Sequence, residues 1–477
     1  MNLSSQSALI LLKGLCLNLL SFLDLQGVDK KKAFLLLWRL LLIRHWAVLE
    51  RPHQLTTARD IASSQEIWKQ WEGCTENVGA AIAKSMYALE RANNVNAGYL
   101  ANASFFRWQD FPDEVLRRVI FEMSFNCREE IKILSFEDIG NLLDRLIEEQ
   151  WLKHPDLRKY WYPSSIVSLM VMLLEAQGDW VIYDPICGVG QLLKAVYSFN
   201  QSRIGERDLF RADGDEWSVE IEALGCLYMA LQGFSHVRLK RDASFSLPEW
   251  AGGELVGRAD GIVSVFPLLQ EDWKRMLPLL NPGHYVFGSP KDTEREFAYL
   301  NSFTQILKSV KRAVVVMPPG FLFREWDLKI RRDWVNGDLL TAVITLPPNL
   351  FHHTPMPTVL LVLETQKPVS RRQEVLFVDG SKAFLKSDSS LDYERLFAVY
   401  QAFETVPAVA ERTTIQRIQQ EDFNLTVSRY LTVVSTPYDW EQAWNQELQF
   451  FHECEEQRQQ ALSAIDDCLL RLNIEEF

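Results

Sequence analysis

The sequence predicts an α/β protein: a mostly parallel, doubly wound sheet, preceded by a helical region and followed by one long helix. Two observations predict the sheet. Between about residues 160 and 430, short apolar runs recur at 180–184, 261–266, 313–317, 340–346, 358–364 and 375–380. Between them lie helical patterns such as Ser164–Glu175, Ser218–Gln232 and Glu296–Ser309. Runs this short and apolar suit strands buried on both faces, and strands alternating with helices make βαβ units. The flanks differ in texture: apolar residues recur there every three or four positions, with few prolines between.

The expected organisation is a helical N-terminal domain over 1–155, the sheet-bearing domain over 156–435 and a C-terminal helix over 436–477. From Met1 to about Lys153, proline occurs only at Pro52 and Pro112. Its most apolar stretches are Ala8 to Leu25, broken by Lys13 and Asn18, and Ala33 to Trp46, which carries Arg39 and Arg44. The first lacks a basic leader and a small-residue cleavage site, and the second is too short to cross a bilayer. Both are expected to be buried helices, with no membrane insertion. In the last segment Trp440, Trp444, Leu448, Phe451, Leu462, Ile465, Leu469 and Leu472 make a seam among Glu and Gln, which needs a partner in cis or trans.

Composition narrows the function classes. A chain of 477 residues, 47% hydrophobic and 24% charged, has length enough for a large core and excludes a disordered tail or a disulfide mini-protein. Its net charge of -13, from 50 Lys and Arg against 63 Asp and Glu, argues against binding nucleic acid through its bulk field. Contact with DNA must then be local or supplied by a partner. Lys30 to Lys32 and the patch Lys329, Arg331 and Arg332 are the best local phosphate contacts, although charged helix faces explain them equally well. Seven scattered cysteines include no C-x-x-C pair, so neither zinc nor a disulfide framework is expected. Reduced thiols fit a cytoplasmic location. His352 and His353 have no acidic cluster beside them and read as a loop pair, not metal ligands.

The chemistry belongs where a strand hands over to a helix through glycines, at Val181-Ile-Tyr-Asp184-Pro-Ile-Cys187-Gly188-Val-Gly190. In a doubly wound sheet this is the ligand crevice at the carboxyl ends of the strands. Only two glycines are present, and no Lys-Ser/Thr pair follows, so neither a dinucleotide fingerprint nor a phosphate loop is made. Asp184 can hold an ammonium group, which S-adenosylmethionine has and a nucleoside triphosphate lacks. Two further strands end in acids, at Asp215-Glu216 and at Asp242, in the order that would meet a ribose diol and an adenine edge. Each acid alone is an ordinary loop carboxylate; three in order are harder to dismiss.

These motifs resemble the modification (methyltransferase) subunits of type I restriction-modification systems, in the N6-adenine DNA methylase family. DPICGVGQLL is similar to that family's D-P-T-C-G-S-G-G-L-L loop, and KYWYPSSIVSLMVMLL at 159–174 to its F-Y-T-P-R helix. AVVVMPPGFLF, LLTAVITLPPNLFHHTPMPTVLLVLE, LFVDGSKAF and EDFNLTVSRYL resemble later family segments in the same order. The resemblance covers nearly the whole chain. It implies a class I S-adenosylmethionine-dependent, Rossmann-like methyltransferase fold. It implies a cofactor pocket in which Asp184, Cys187, Gly188 and Gly190 surround the methionine part and Trp161, Tyr162 and Pro163 line it. Glu216 would take the ribose and Asp242 the adenine. Tyr162 stands where the family has Thr, Val189 where it has Ser, and Gln191 where it has Gly. The resemblance also implies DNA contact through a separate specificity-type subunit, a protein partner on the C-terminal helix, and a homodimer or a heterodimer with a second methyltransferase subunit.

One departure bears on mechanism. The family's Asn-Pro-Pro-aromatic segment aligns here with Val265-Phe266-Pro267-Leu268. The Asn carbonyl oxygen holds the adenine amine by hydrogen bonding, and the aromatic stacks on the flipped base, a contact worth about 1–3 kcal/mol. Val265 has no side-chain acceptor and Leu268 no π face. Ser264 and Asp260 lie on the amino side of the site, and Phe266 is the nearest ring. The expectation is a methyltransferase homologue with impaired transfer, acting as a cofactor-binding or structural subunit. An active adenine methyltransferase with an unusual motif and a methyltransferase of a non-DNA substrate are the alternatives.

Overall fold

The structure is a computed structural model that describes residues 5–49, 64–92, 100–154, 157–204, 211–232, 237–240, 259–268, 287 and 295–432, apart from 102, 104, 127, 178, 217, 382–383 and 387–389. Asp242 and the expected helix over 436–477 lie outside the described residues.

The N-terminal part is helical: α1 (Ser5–Leu25), α2 (Lys30–Leu49), α3 (Ser64–Glu72), α4 (Val78–Ala92), α5 (Asp113–Asn126), α6 (Arg128–Ile133) and α7 (Phe136–Trp151). Helix α1 is long and apolar enough to cross a membrane by length and composition alone. Here Ala8, Leu12, Cys16, Leu19, Leu20 and Leu23 form one buried stripe, and α1 packs against α2, α5, α6 and α7. The two arginines of α2 are accommodated inside. The Arg39 guanidinium lies 4.1 Å over the Phe106 ring, and burial lowers its pKa to about 9 against the opposing pull of Glu90. Arg44 donates to the Ser124 carbonyl at 3.0 Å and lies over Trp68. Helix α7 begins with a capping box, in which the Ser135 hydroxyl accepts from the Asp138 amide and Asp138 accepts in return from the Ser135 amide.

Then strands alternate with helices: α8 (Ser164–Leu174), β1 (Val181–Asp184), α9 (Gln191–Ile204), β2 (Arg211–Asp215), α10 (Val219–Leu231), β3 (Val237–Lys240), β4 (Gly261–Val265), α11 (Arg295–Leu307), β5 (Arg312–Met317), α12 (Leu328–Asn336), β6 (Leu340–Leu346), β7 (Thr358–Glu364), β8 (Glu374–Asp379), α13 (Tyr393–Ala402), β9 (Ala410–Thr414) and α14 (Ile415–Gln420). Among the described residues the sheet has nine strands in the order β3-β2-β1-β4-β5-β7-β6-β8-β9. Strands β3 to β5 of this order pair in parallel; β7 runs antiparallel between β5 and β6, and β9 antiparallel to β8. The α/β expectation holds, with the antiparallel β7 and β9 as additions to the parallel frame. β7 reads like its neighbours because all seven of its residues are buried, so composition does not report direction.

The chain leaves β1 outward through β2 and β3, then returns to place β4 on the other side of β1. That reversal opens a crevice at the carboxyl ends of β1 and β4, where no crossover covers the sheet edge. Successive β4 residues serve opposite faces: Val263 and Val265 join the core that continues into the helical region, while Ile262 and Phe266 join the core under α11 and α12. One buried cluster therefore runs from α1 to the sheet. The Trp38 ring stacks on Tyr228 of α10, and Asp144 of α7 receives both the Tyr228 hydroxyl and the Lys194 ammonium. The architecture changes near residue 155, but the packing does not break there.

Candidate functional site

The crevice is built from three strand ends and one crossing segment. Asp184 is the last residue of β1 and fully buried. One of its carboxylate oxygens accepts from the Ile186 amide at 3.0 Å and from the Ser264 hydroxyl at 2.8 Å. These donors fix its orientation across the β1–β4 seam, as a recognition carboxylate requires. The turn that follows needs a left-handed backbone at Gly188 (φ +56°) and Gly190 (φ +85°). Just before them Cys187 is buried, with its side chain against Gly214 of β2, where a Cβ would lie 2.7 Å from its sulfur. A Cβ on Gly188 would meet only the Tyr160 carbonyl oxygen, at 3.9 Å, so open space lies beside this residue.

Glu216 follows β2 and is 1% exposed. It accepts from the Ser218 amide at 2.7 Å. Burial pushes its carboxyl up to about 8; the Asp184 charge adds to the rise, while the Ser218 and Gly188 amides and the Lys159 ammonium oppose it. The segment 159–163 crosses above the glycine turn. It is held by Gln191, the first residue of α9: the Gln191 side-chain amide donates to the Tyr162 carbonyl at 2.9 Å, and its oxygen accepts from the Tyr162 amide at 2.8 Å. The Tyr162 ring meets Phe351 edge to face at 6.1 Å, and burial beside Asp184 and Glu216 holds its hydroxyl in the neutral form.

The cleft is lined by Lys159, Tyr160, Tyr162, Ile186, Gly188, Glu216, the run Val265 to Leu268, and His353. Its clear space is about 40 Å³, or about 460 Å³ if the solvent-open mouth is counted. The site thus brings together Tyr162, Gly188 and Glu216, with Asp184, Cys187 and Gly190 shaping its floor, and 265–268 closing one side. Pro163 stands before α8 as its N-cap. Trp161 is placed otherwise than the sequence suggests: its ring is 2% exposed, packs edge to face on Tyr228 at 6.0 Å, and is not on the cleft wall. Tyr162, which follows the extended residue Trp161, lines the cleft instead, as do Lys159 and Tyr160 of the preceding turn.

At the end of β4, Val265 is 3% exposed and pairs with Val316 of β5. Phe266 continues the ladder, its amide donating to the Val316 carbonyl at 2.8 Å, and its ring meets Phe303 edge to face at 5.3 Å. This ring is committed to the core under α11. Ser264 is engaged with Asp184, and Asp260 bonds the Val181 amide and Lys311 at the opposite edge of the sheet. His353 and Lys159 are lining residues that sequence reasoning did not place in the site. They reach it on a loop after β6 and on the crossing segment, and no local pattern signals either. Among the described residues no cluster of three metal-ligating side chains occurs. Of the expected phosphate contacts, Arg331 is 2% exposed and donates to the carbonyls of Phe321, Arg324 and Phe423, so it is a structural tie.

A family model described as N-6 DNA Methylase matches residues 152–438. The MjaVIII methylase subunit, from a type I restriction enzyme of Methanocaldococcus jannaschii, is 28% identical over 298 residues, which is 58% of this chain and 50% of that protein. The HindI methylase subunit of a type I restriction enzyme from Haemophilus influenzae is 25% identical over 288 residues, 57% of this chain and 63% of that protein. The chain spans about half of the first of these relatives and about three-fifths of the second. Among solved structures, the methyltransferase subunit of a type I restriction-modification system from Streptococcus thermophilus superposes with a TM-score of 0.60 at 17% identity, covering 90% of this chain and all of that one. A modification subunit of a type I restriction enzyme from Vibrio vulnificus gives 0.53 at 15% identity, with 86% of each chain covered. These two likenesses concern the fold.

Proposed function

The chain belongs to the N-6 DNA methylase family, and from that membership we propose that it is a transfer-deficient, modification-type subunit which keeps a cofactor cleft and works inside a DNA-associated assembly. The family's cofactor is S-adenosylmethionine, which supplies an electrophilic methyl on a sulfonium centre. The donor set of the cleft suits it. Asp184, oriented by Ser264 and the Ile186 amide, would take the ammonium, and Glu216 the ribose hydroxyls. Gly188 lines the cleft with only the Tyr160 carbonyl within 4 Å of where a Cβ would lie, so a ligand can approach its backbone. Lys159 would meet the carboxylate end. These residues bind and orient; none of them reaches out to activate a nucleophile.

One observation carries the deficiency. Where an adenine amine would have to be held, the end of β4 presents Val265, Phe266, Pro267 and Leu268, with no side-chain acceptor, and the Phe266 ring is turned into the core against Phe303. Ser264, one residue earlier on β4, donates to Asp184 and is fully buried. Losing a positioned polar partner costs about 10²–10³ in rate, and losing the stacking face adds to that. The role in a complex rests on the curated relatives being subunits of type I enzymes, on the acidic balance of -13 and on the seam expected over 436–477. We place the chain in the cytoplasm, beside a specificity-type subunit that contacts DNA. A dimer with itself or with an intact methyltransferase subunit is part of the same reading.

Labelled-methyl transfer to unmethylated genomic DNA, with the specificity-type partner present, tests it. Incorporation should be at background for the natural chain. It should appear in a Val265→Asn, Phe266→Pro, Leu268→Phe triple variant. Incorporation by the natural chain that vanishes in Asp184→Ala would mean an active enzyme and sink the proposal. The variant should also be less stable by about 1 kcal/mol, because proline at 266 removes the hydrogen bond to Val316.

A further inference from the structure

The cleft has the groups a charged nucleoside ligand needs but not the room. Its clear space of about 40 Å³ compares with the several hundred Å³, about 300 or more, of an ordinary small-molecule site. Two neighbours hold Tyr162, one of its lining residues. Gln191 bonds both backbone groups of Tyr162, and the Tyr162 ring rests against Phe351. The segment is thus pinned from α9 below and from the loop after β6 above. We propose that Tyr162 is a built-in plug of the cofactor cleft, clamped by Gln191 and Phe351, and that the chain binds S-adenosylmethionine only when this side chain withdraws.

This rests on the cofactor reading given above and adds its regulation. A ligand that requires a minor open state binds with an affinity reduced by the fraction of chains in that state. Two hydrogen bonds fix the main chain that carries the plug and the Phe351 contact holds its ring, which makes the open state the minor one. The Tyr162 hydroxyl is held neutral by burial beside Asp184 and Glu216, so it adds no charge to the cleft. Release of the clamp by a partner pressing on the 349–356 loop would then open the cleft without any change in the sheet.

Isothermal titration of the full chain with S-adenosylmethionine decides this, in the natural sequence and in Tyr162→Ala, Gln191→Leu and Tyr162→Ala with Asp184→Asn. Each variant is checked for folding by thermal denaturation. Tyr162→Ala should bind at least about tenfold tighter than the natural chain, Gln191→Leu should shift the same way by less, and adding Asp184→Asn should abolish the gain. Equal or weaker binding by folded Tyr162→Ala, still lost with Asp184→Asn, overturns the plug and leaves the cofactor reading standing. No binding by any folded variant overturns both. If Tyr162→Ala does not fold, Gln191→Leu decides alone: tighter binding supports the plug, and unchanged affinity overturns it.

Discussion

Glu216 shows how much one buried carboxyl can say. Its neighbours are two backbone amides, a distant ammonium and the charge of Asp184, and burial outweighs the favourable ones, leaving the group titrating near 8. A carboxyl in the unfolded chain titrates near about 4.3. Between those values the folded chain keeps a proton that the unfolded chain releases, so this group's stabilising effect is whole at acid pH and drains away as pH rises towards about 8. Glu216→Gln cannot titrate and should remove that slope. Calorimetric melting of the natural chain and the variant from pH 5 to 8 (about the window of the two values) should show Tm converging at the acid end and the variant gaining at the alkaline end. A constant offset across the window would mean that Glu216 is ionised in the fold. At the same scale, Ser264 is a fully buried hydroxyl that donates to Asp184 and orients it.

At the scale of elements, the site edge is held by ties that join one secondary structure to the next. Arg331 on α12 is the clearest: its guanidinium donates to the carbonyls of Phe321 and Arg324, in the loops after β5, and of Phe423, after α14. No other side chain offers donors in that fork. Arg331→Lys keeps the charge and loses the geometry, leaving at least two buried carbonyls without their donor. We expect a loss of about 3 kcal/mol in urea unfolding, with the α8–β4 half little affected. A loss below about 0.5 kcal/mol would show that water replaces the fork. The strand β7 makes a related point about legibility. Its apolar run was plain, but its direction was not, because a strand buried on both faces carries the same residues whichever way it runs.

For the whole molecule, the charge of -13 sets the expected behaviour with DNA. The chain alone should bind duplex DNA no better than the non-specific range of about 10⁻⁴–10⁻⁶ M at physiological salt, tightening by orders of magnitude when the specificity-type partner is added. Fluorescence anisotropy at two salt concentrations measures this, and nanomolar binding by the isolated chain would contradict a partner-dependent role. The sequence by itself determined the alternation of strands and helices, the glycine turn after Asp184, the acid at Glu216 and the loss of any acceptor at 265–268. Each of these is a local matter of residue type and spacing: burial pattern, positive φ, the presence or absence of a side-chain oxygen. Only the tertiary structure decided that β7 turns antiparallel, that Trp161 faces the core while Tyr162 faces the cleft, that Phe266 is spent on Phe303, and that His353 and Lys159 reach the site. Those outcomes depend on which surface each side chain meets across hundreds of residues. No local period encodes that, because packing selects among rotamers and faces that are equivalent within the segment alone.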